Sequence, residues 1–384
     1  MVIAKESAPH LRRKASVTRM MVDVLIALAP TLIFSIVVYP LNTLVFYFIS
    51  ILVMVGAEFV YVGLKNMMPA DGKKHSFKER FIYAYKGKFN QNNVLTAAIS
   101  AIIFTLIMPA GAPIYAVIIG ALVGIVFGKL VFGGLGSNIF NPAAVGMLFA
   151  KLCFGSQYIK AGVVNPPLGF LPTDTWFYSV PDAAAGATPL GMVNDGYLTN
   201  YTAYGLKDMF FGRIPGTLGE VYAITIIIGL AYLLIRRSAD FRIPLSYLGT
   251  FAFLSLIAAL SVLALGKEIN VFRFVAYSGL SGGVLFGATF MLTDPVTSPI
   301  NSPSRVIYGM VAAVFTILIR LFAALPEGVG FSILIANMIA VVLDHYEWSN
   351  PRYTWKKILV MALLVVIPAL TIFFAIKFGG VYHG

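Results

Sequence analysis

The sequence predicts an all-α polytopic membrane protein with ten or eleven transmembrane helices. Hydrophobic residues make up 59% of the 384 residues and charged residues only 11%, with a mean hydropathy of +0.86. A soluble globular domain carries about 25% charged residues. Apolar runs of about 15 to 25 residues recur between charged or Gly/Pro-rich segments, which is the pattern of membrane-spanning helices. These observations exclude a soluble globular protein.

Eleven apolar runs are candidate spans, and the fifth and tenth are the shortest. They lie near residues 20–39, 43–64, 94–110, 113–133, 141–155, 217–235, 244–265, 272–292, 306–324, 329–343 and 358–376. The first run follows a basic stretch and lacks the short apolar core and small-residue cleavage site of a signal peptide. We therefore expect the first span to remain in the membrane.

Basic residues cluster in alternate loops, as is typical of loops on the cytoplasmic side of a membrane. Most of the 28 Lys and Arg residues lie in the N-terminal segment 1–19 and in every second loop after it. We therefore place the N-terminus in the cytoplasm and the long, weakly charged loop 156–216 outside. A connection of this length is usually functional or packed as a small lid. The alternative without a specific function is an ordered cap over the helical bundle.

The net charge of +12 follows from this topology and does not require a nucleic-acid partner. The single cysteine, Cys153, cannot supply the thiolates of an iron–sulfur cluster. The four histidines fall in predicted loops or tails, so paired haem ligands within the membrane are not expected. The sequence thus predicts no metal site, and any electron transfer by this chain requires another cofactor.

Two pairs of proline-bounded motifs indicate an internal repeat with a nearly constant offset. The pairs are 109–113 with 295–299, and 142–146 with 326–330. Segments 20–155 and 217–343 would then be two five-helix copies, followed by a cytoplasmic loop and an extra C-terminal helix in 344–384. Because five is odd, the copies have opposite orientations and share a site near the middle of the membrane. Chance matches among 20 prolines are the alternative.

Gly and Pro interrupt the apolar pattern at residues 132–142 and 293–299. Irregular backbone beside a span persists only where protein or a polar cavity satisfies its N–H and C=O groups, so these segments are either ligand walls or interfacial turns. Asn141, Thr293 and Asp294 are the polar residues in these segments that we expect to line a cavity or ligand site. We also expect the breaks before the fourth and ninth spans to face one another across a polar cavity.

Ionisable side chains within spans are costly in hydrocarbon and are functional candidates for that reason. Five lie within or at the edge of the predicted spans, namely Asp23, Glu58, Glu220, Arg320 and Glu327. Asp23 and Arg320 lie close enough to a span end to reach the interface by snorkelling. Glu58 and Glu220, one from each copy, are the better candidates for a cation route or a buried polar contact.

Several motifs, taken in order, resemble one family of membrane redox subunits. They are FGGLG at 132–136, FNPA at 140–143, DAAAGATPL at 182–190, GE at 219–220, GATFMLTDPVTSP at 287–299 and LPEG at 325–328. The ordered set, over residues 8–347, is similar to the D subunit of the Rnf complex and the B subunit of the sodium-translocating NADH:quinone reductase. The start Ser7-Ala8-Pro9-His10, without the extra segment usual in the quinone reductase subunit, favours the Rnf side.

The resemblance implies an FMN joined through its phosphate to a threonine hydroxyl in the external loop. The family pattern Asp-x-x-Ser-Gly-Ala-Thr aligns with Asp182, Gly186, Ala187 and Thr188, on the side where the family's flavin transferase acts. A second, noncovalent flavin such as riboflavin would lie in the bundle near Asn141, Thr293 and Asp294. Two features depart from the family pattern: Ala185 replaces the usual Ser or Thr, and the eleventh span exceeds the usual ten.

By this resemblance, the chain is a flavin-carrying subunit of an ion-translocating electron-transfer complex in the bacterial inner membrane. Such a complex couples ferredoxin and NAD redox chemistry to sodium or proton transport through several subunits, and no residue of this chain acts as a catalytic acid, base or nucleophile. One alternative is the B subunit of the quinone reductase. The other is an inverted-repeat transporter without a redox role.

Overall fold

The computed structural model describes most of the bundle and leaves gaps in the loops. The described residues are 17–67, 76–155, 201, 204–212, 214, 216–323, 328–345, 348 and 350–378. Every regular element in these ranges is a helix, which confirms the all-helical class. The helices are α1 Val17–Val38, α2 Pro40–Asn66, α3 Phe77–Tyr85, α4 Gln91–Leu106, α5 Ile114–Ile125, α6 Pro142–Cys153, α7 Leu206–Phe211, α8 Ala223–Arg236, α9 Arg242–Ala264, α10 Val271–Leu280, α11 Val284–Phe286, α12 Ser302–Phe322, α13 Val329–Leu343 and α14 Trp355–Phe378. Two π-helical segments, Val126–Leu130 and Gly287–Met291, continue α5 and α11.

Several of these helices have the length and composition of membrane spans. Within the described part of the chain, α1, α2, α9, α12 and α14 are long and apolar enough to cross a membrane. The pair formed by α10 and by α11 with its π segment also passes this test if it counts as one span, although it bends by 62°. Helices α4, α6, α8, α13 and α5 with its π segment are apolar but shorter. The structure therefore supports five or six candidate spans.

The eighth predicted span, 272–292, is broken rather than continuous. Helix α10 ends at Leu280, and α11 begins at Val284 after a short turn in which Gly282 has a φ of +61°. This left-handed conformation strongly favours glycine and cannot continue a helix. The apolar run conceals this break because glycine does not lower the hydropathy of the segment enough to mark it.

Asparagine and proline residues define several helix starts. The side chains of Asn90, Asn141 and Asn270 accept hydrogen bonds from backbone N–H groups in the first turns of α4, α6 and α10. These bonds satisfy donors that lack an intrahelical partner. Pro40 and Pro142 occupy the first turns of α2 and α6, where the missing proline N–H costs nothing.

Glycines allow α5 and α6 to approach closely. A Cβ atom on Gly124 would lie 2.6 Å from the carbonyl oxygen of Pro142, and one on Gly128 would lie 2.6 Å from the Cα of Pro142. Gly146 of α6 packs in the same way against the carbonyl oxygen of Gly120. Small residues four apart are typical of tightly packed membrane helices. This crossing fixes the π segment of α5 beside the start of α6.

The helical bundle has two ends. We call the end at which Arg19 of α1 and Arg236 of α8 lie the basic end, and the other the opposite end. At the basic end, α1 and α4 begin together, with Thr18 donating to Asn92 over 2.7 Å, and α8 ends beside them. At the opposite end, the backbone N–H of Gly219 donates to the carbonyl oxygen of Leu106 at the end of α4 over 2.7 Å. Helix α4 thus connects the two ends over about 20 Å, at 1.5 Å per residue.

Candidate functional site

A buried ion pair joins α2 to the π segment of α5. The Nζ of Lys129 lies 2.8 Å from Oε2 of Glu58, and their side chains are 3% and 1% exposed. Asn93 of α4 donates to Oε1 of Glu58 over 3.0 Å, and Lys129 donates to the hydroxyl of Thr96 over 2.9 Å. Charges this deeply buried are retained only when they are paired and hydrogen-bonded. Both requirements are met here by residues from three elements.

A cavity lined by both apolar and polar side chains lies beside this ion pair in the half of the bundle nearer the basic end. Its volume is about 70 Å³, enough for several water molecules or a small ion. The polar side chains on its walls include Thr96, Ser100, Lys129, Asn138, Asn141, Ser238, Thr289, Thr293 and Asp294. Lys129 and Asp294 are the basic and the acidic side chain on these walls, and Glu58 pairs with Lys129 from beside the cavity. The cavity therefore has the size for a small ion, with one carboxylate, Asp294, on its described walls.

Asn141 connects this cavity to the centre of the bundle. Its side chain caps α6 and also donates to the carbonyl oxygen of Met291, at the end of the second π segment, over 3.4 Å. Its backbone N–H donates over 3.1 Å to Asn337 of α13, which in turn donates to the hydroxyl of Tyr308 over 2.8 Å. These hydrogen bonds link α6, α12, α13 and the second π segment inside an otherwise apolar bundle.

Thr293 and Asp294 form the turn that follows the second π segment. Asp294 accepts from the backbone N–H of Val296 and from the hydroxyl of Thr297, each over 3.2 Å. Thr293 donates to the carbonyl oxygen of Thr289. These local bonds hold the irregular backbone in place. They leave Asp294 on the cavity wall, where it interacts electrostatically with Lys129.

Both π-helical segments border the cavity, and π-helical turns are frequent at functional sites. After the first segment the chain turns back through Gly133, Gly134 and Gly136, whose φ angles are +120°, +93° and +81°. Residues with a Cβ rarely adopt these conformations. The FGGLG motif therefore lets the chain return from Lys129 to Asn141 within a short distance.

The expectation that the breaks before the fourth and ninth spans share a cavity is wrong. The break at 293–296 lines the cavity, and its counterpart is the break before α6 at 138–142. The Pro109–Pro113 segment lies at the opposite end, where Ala110 accepts from Asn42 over 3.0 Å. The cause is the direction of α5, which carries the chain from one end of the bundle to the other between these two breaks.

The two predicted acidic candidates, Glu58 and Glu220, lie in different places. Glu58 contacts Asn93 near the start of α4, whereas the segment Gly219–Glu220 packs at the end of α4. The carboxylate of Glu220 lies against the α10–α11 break, because a Cβ on Gly283 would clash with its Oε1. The structure therefore does not bring Glu58 and Glu220 together.

Two other ionisable residues are buried rather than snorkelling to an interface. Asp23 accepts from Arg236 over 3.2 Å and from Ser238 over 2.5 Å, which ties α1 to the end of α8. Arg320 is 5% exposed and donates to the carbonyl oxygens of Ser278 and Ser281, each over 3.0 Å. It thereby caps the C-terminus of α10, where a positive charge is favourable.

The pairing roles of Lys129, Asn93, Asn337 and Tyr308 are not evident from the sequence. By pattern alone, Lys129 is a basic residue at a helix end and marks only the side of the membrane. An available signal was the position of this lysine between Gly128 and Leu130, inside an apolar run.

The proposed flavin-attachment residues lie outside the described part of the chain. These are Asp182, Ala185, Gly186, Ala187 and Thr188, and Glu327 is also outside it. Their predicted roles remain predictions.

Comparison with known proteins assigns the chain to a family. A family model described as NQR2, RnfD, RnfE matches residues 4–352, which contain the ion pair and every wall of the cavity. The chain belongs to this family. The match ends before α14, so the C-terminal helix lies outside the family region.

Relatives of this NQR2, RnfD, RnfE family member include subunits of two kinds of complex. The B subunit of the Na(+)-translocating NADH-quinone reductase of Chromohalobacter salexigens is 36% identical over 252 residues, 65% of this chain and 57% of that subunit. The corresponding subunit of Ectopseudomonas mendocina is 31% identical over 293 residues, 75% of this chain and 64% of that subunit. The D subunit of the proton-translocating ferredoxin:NAD(+) oxidoreductase complex of Clostridium ljungdahlii is 28% identical over 349 residues, 88% of this chain and 93% of that subunit. The chain thus spans less than two thirds of these quinone reductase subunits and nearly all of the clostridial one.

Proposed function

We propose that this chain is a membrane subunit of an ion-translocating oxidoreductase complex of the Rnf type, and that the cavity beside Glu58 and Lys129 is its ion-coupling site. The family match over residues 4–352 supports membership of such a complex. The observation that carries the site is the fully buried Glu58–Lys129 pair next to a cavity of ion size that has Asp294 on its wall. Other subunits would supply the ferredoxin and NAD chemistry, with sodium or a proton as the transported ion.

The coupling role follows from the charges around the cavity. Lys129 pairs with Glu58 when the cavity holds no ion. A cation entering beside Asp294 competes with the Lys129 ammonium for the two carboxylates, so its arrival and the position of Lys129 are linked. The π-helical backbone around Lys129 lacks the regular i to i−4 hydrogen bonds, which makes this segment suited to move. A redox change that shifts either π segment would therefore change the affinity for the ion.

We also propose that Thr188 carries FMN through a phosphoester and that a flavin transferase attaches it. The support is the resemblance of the segment 182–188 to the family's attachment pattern. Within a complex the flavin would supply electron transfer, and this chain would hold it at the membrane surface. By the same resemblance, a second, noncovalent flavin such as riboflavin would lie in the bundle near Asn141, Thr293 and Asp294, which line the cavity.

The proposed arrangement in the membrane has ten or eleven crossings and two inverted five-helix copies. Helices too short to cross alone are supported by polar partners at their ends, as at Asn141, and such ends are tolerated when protein or a cavity surrounds them. We place the basic end in the cytoplasm and loop 156–216 outside the bacterial inner membrane, following the distribution of Lys and Arg.

A second candidate function is that of the B subunit of the quinone reductase. The higher identity to that subunit favours it, whereas the nearly full-length match favours the Rnf subunit. Redox assays of the assembled complex distinguish the two, because ferredoxin-dependent NAD reduction and NADH-dependent quinone reduction need different partners.

The flavin proposal is tested by intact-mass analysis of the protein made together with its own complex and transferase. We expect an FMN adduct on wild type, its loss in Thr188→Ala, and partial retention in Thr188→Ser, whose hydroxyl can form the same ester. Thr199→Ala in the same loop is the matched control and should keep the adduct. An unmodified wild-type mass would contradict the proposal.

The orientation is tested by cysteine labelling in a Cys153→Ser background. Lys207 at the opposite end and Lys86 at the basic end are both exposed and suitable for replacement by cysteine. An impermeant maleimide should label Lys207→Cys in whole cells and Lys86→Cys only after lysis. The reverse pattern would mean that the orientation is inverted.

A further inference from the structure

A second cavity, of about 570 Å³, opens at the basic end of the bundle. It lies between the end of α8, the start of α9 and the start of α12, and its walls include Arg237, Arg242 and Arg305. Asp240 is the carboxylate on the same walls. Three guanidinium groups against one carboxylate give the cavity two net positive charges, so it favours an anion.

The internal partners of these arginines use only part of their hydrogen-bonding capacity. Arg242 donates through one NH group to Asp240 over 3.0 Å, and Arg305 donates to Asp240 and, over 2.8 Å, to the carbonyl oxygen of Pro299. A guanidinium has five N–H donors in a planar fork that matches carboxylate and phosphate oxygens. Donors therefore remain for a ligand after Asp240 has fixed the two side chains in place.

Arg237 occupies a backbone position that usually belongs to glycine. It follows the last residue of α8 with a φ of +56° in the left-handed region, and its N–H closes the helix by bonding to the carbonyl oxygens of Leu233 and Leu234. A residue with a Cβ is strained in this conformation. Its exposed side chain lines the cavity. An arginine at a strained position indicates a role for the side chain in this cavity.

Exposed apolar side chains lie next in sequence to segments that line this cavity. Ile235, Leu245 and Ile300 are 81%, 66% and 73% exposed, and each neighbours a cavity-lining segment in sequence. The cavity also lies at the ends of membrane helices, the level at which lipid headgroups are found. A ligand with an anionic head and an apolar tail therefore matches both the cavity and its surroundings.

We propose that this arginine cavity binds the phosphate group of an anionic membrane lipid, with the acyl chains against Ile235, Leu245 and Ile300. A free phosphate offers the same chemistry to the guanidinium groups but no apolar tail. The size of the cavity is within the range of sites that hold ligands of headgroup size. This site is separate from the proposed ion-coupling residues Glu58 and Lys129.

The test compares wild type with Arg237→Gln in nanodiscs of phosphatidylcholine with and without phosphatidylglycerol. Native mass spectrometry measures how many phosphatidylglycerol molecules stay bound, and we expect retention to fall about fivefold in the variant, the effect of one basic side chain at a lipid surface. Lys86→Gln is the matched control, because it removes one exposed positive charge at the same end outside the cavity. It should retain lipid as wild type does.

A second variant separates a ligand role from a structural role. Arg237→Gly relieves the left-handed strain, so it should raise the thermal unfolding midpoint in phosphatidylcholine alone while lowering phosphatidylglycerol retention. Inorganic phosphate added to phosphatidylcholine nanodiscs should stabilise wild type less than phosphatidylglycerol does; equal stabilisation would assign the site to a soluble anion instead of a lipid. Equal phosphatidylglycerol retention by wild type, Arg237→Gln and Arg237→Gly, or an equal loss in Lys86→Gln, would overturn the proposal.

Discussion

Removing one charge of the Glu58–Lys129 pair should lower the free energy of unfolding far more than removing both charges. Each single replacement, Lys129→Met or Glu58→Gln, leaves a buried charge without its counterion, at a cost of about 3–5 kcal/mol. In the double variant, the Gln amide oxygen still accepts from Asn93, and the Met side chain fills the volume of the lysine stem. Thr96 still donates to the carbonyl oxygen of Asn92 over 2.8 Å. The double variant should therefore cost only about 1 kcal/mol.

The assay is reversible unfolding in mixed micelles titrated with sodium dodecyl sulfate, analysed as a double-mutant cycle. With single costs of about 3–5 kcal/mol each and a double cost of about 1 kcal/mol, the expected coupling energy between the two residues is about 5–9 kcal/mol, larger than the ~0.5–3 kcal/mol usual for contacting pairs. Lys356→Met, an exposed lysine of α14, is the control and should change the unfolding free energy by less than about 0.5 kcal/mol. A Lys129→Met variant as stable as wild type, or a double variant whose cost equals the sum of the two single costs, would refute the pairing.

Three further predictions concern stability. Gly124→Ala places a Cβ 2.6 Å from a backbone oxygen of α6 and should cost about 1–3 kcal/mol, whereas Gly56→Ala, with no atom within 4 Å, should be neutral or slightly stabilising; equal thermal midpoints would contradict this. Arg320→Met loses two charge-assisted bonds to the end of α10 and should cost about 3 kcal/mol in the same unfolding assay, and an unchanged free energy would count against the cap. Burial raises the pKa of Asp240, but a backbone N–H and two guanidinium groups outweigh this effect and lower the pKa below its ordinary value of 3.8. The stabilisation from Asp240 is therefore present above about pH 4 and is lost as the pH falls through the lowered pKa. Asp240→Asn should remove that acid-dependent loss of thermal stability, and identical pH profiles would refute it.

The positions of the helices could be predicted from sequence because lipid and a packed core both select apolar side chains. Each predicted apolar run overlaps a helix, although the run 272–292 overlaps two that a turn separates, and the run 329–343 agrees with α13 at both ends. The segments 132–142 and 293–299 are also predictable as polar breaks, since Gly, Pro and Asn interrupt the apolar pattern there. The structure adds that these two breaks meet at one cavity.

The partners of the charged residues could not be predicted, because pairing depends on how distant helices pack. Glu58 and Lys129 lie on elements separated by α3 and α4, and no local spacing relates them. Position along the span was also misleading for Arg320. It lies near a helix end, as the sequence indicates, yet the broken α10 lies beside it and supplies carbonyl oxygens inside the bundle.

The central claim, that the Glu58–Lys129 site couples ion movement to electron transfer, is tested most directly by the number of ions transported per electron. The measurement uses the assembled complex reconstituted in liposomes, with the Glu58→Gln/Lys129→Met double variant compared with wild type. We expect the double variant to keep its electron-transfer rate while ion uptake per electron falls severalfold. An unchanged ratio of ions to electrons in a folded, redox-active double variant would contradict the claim.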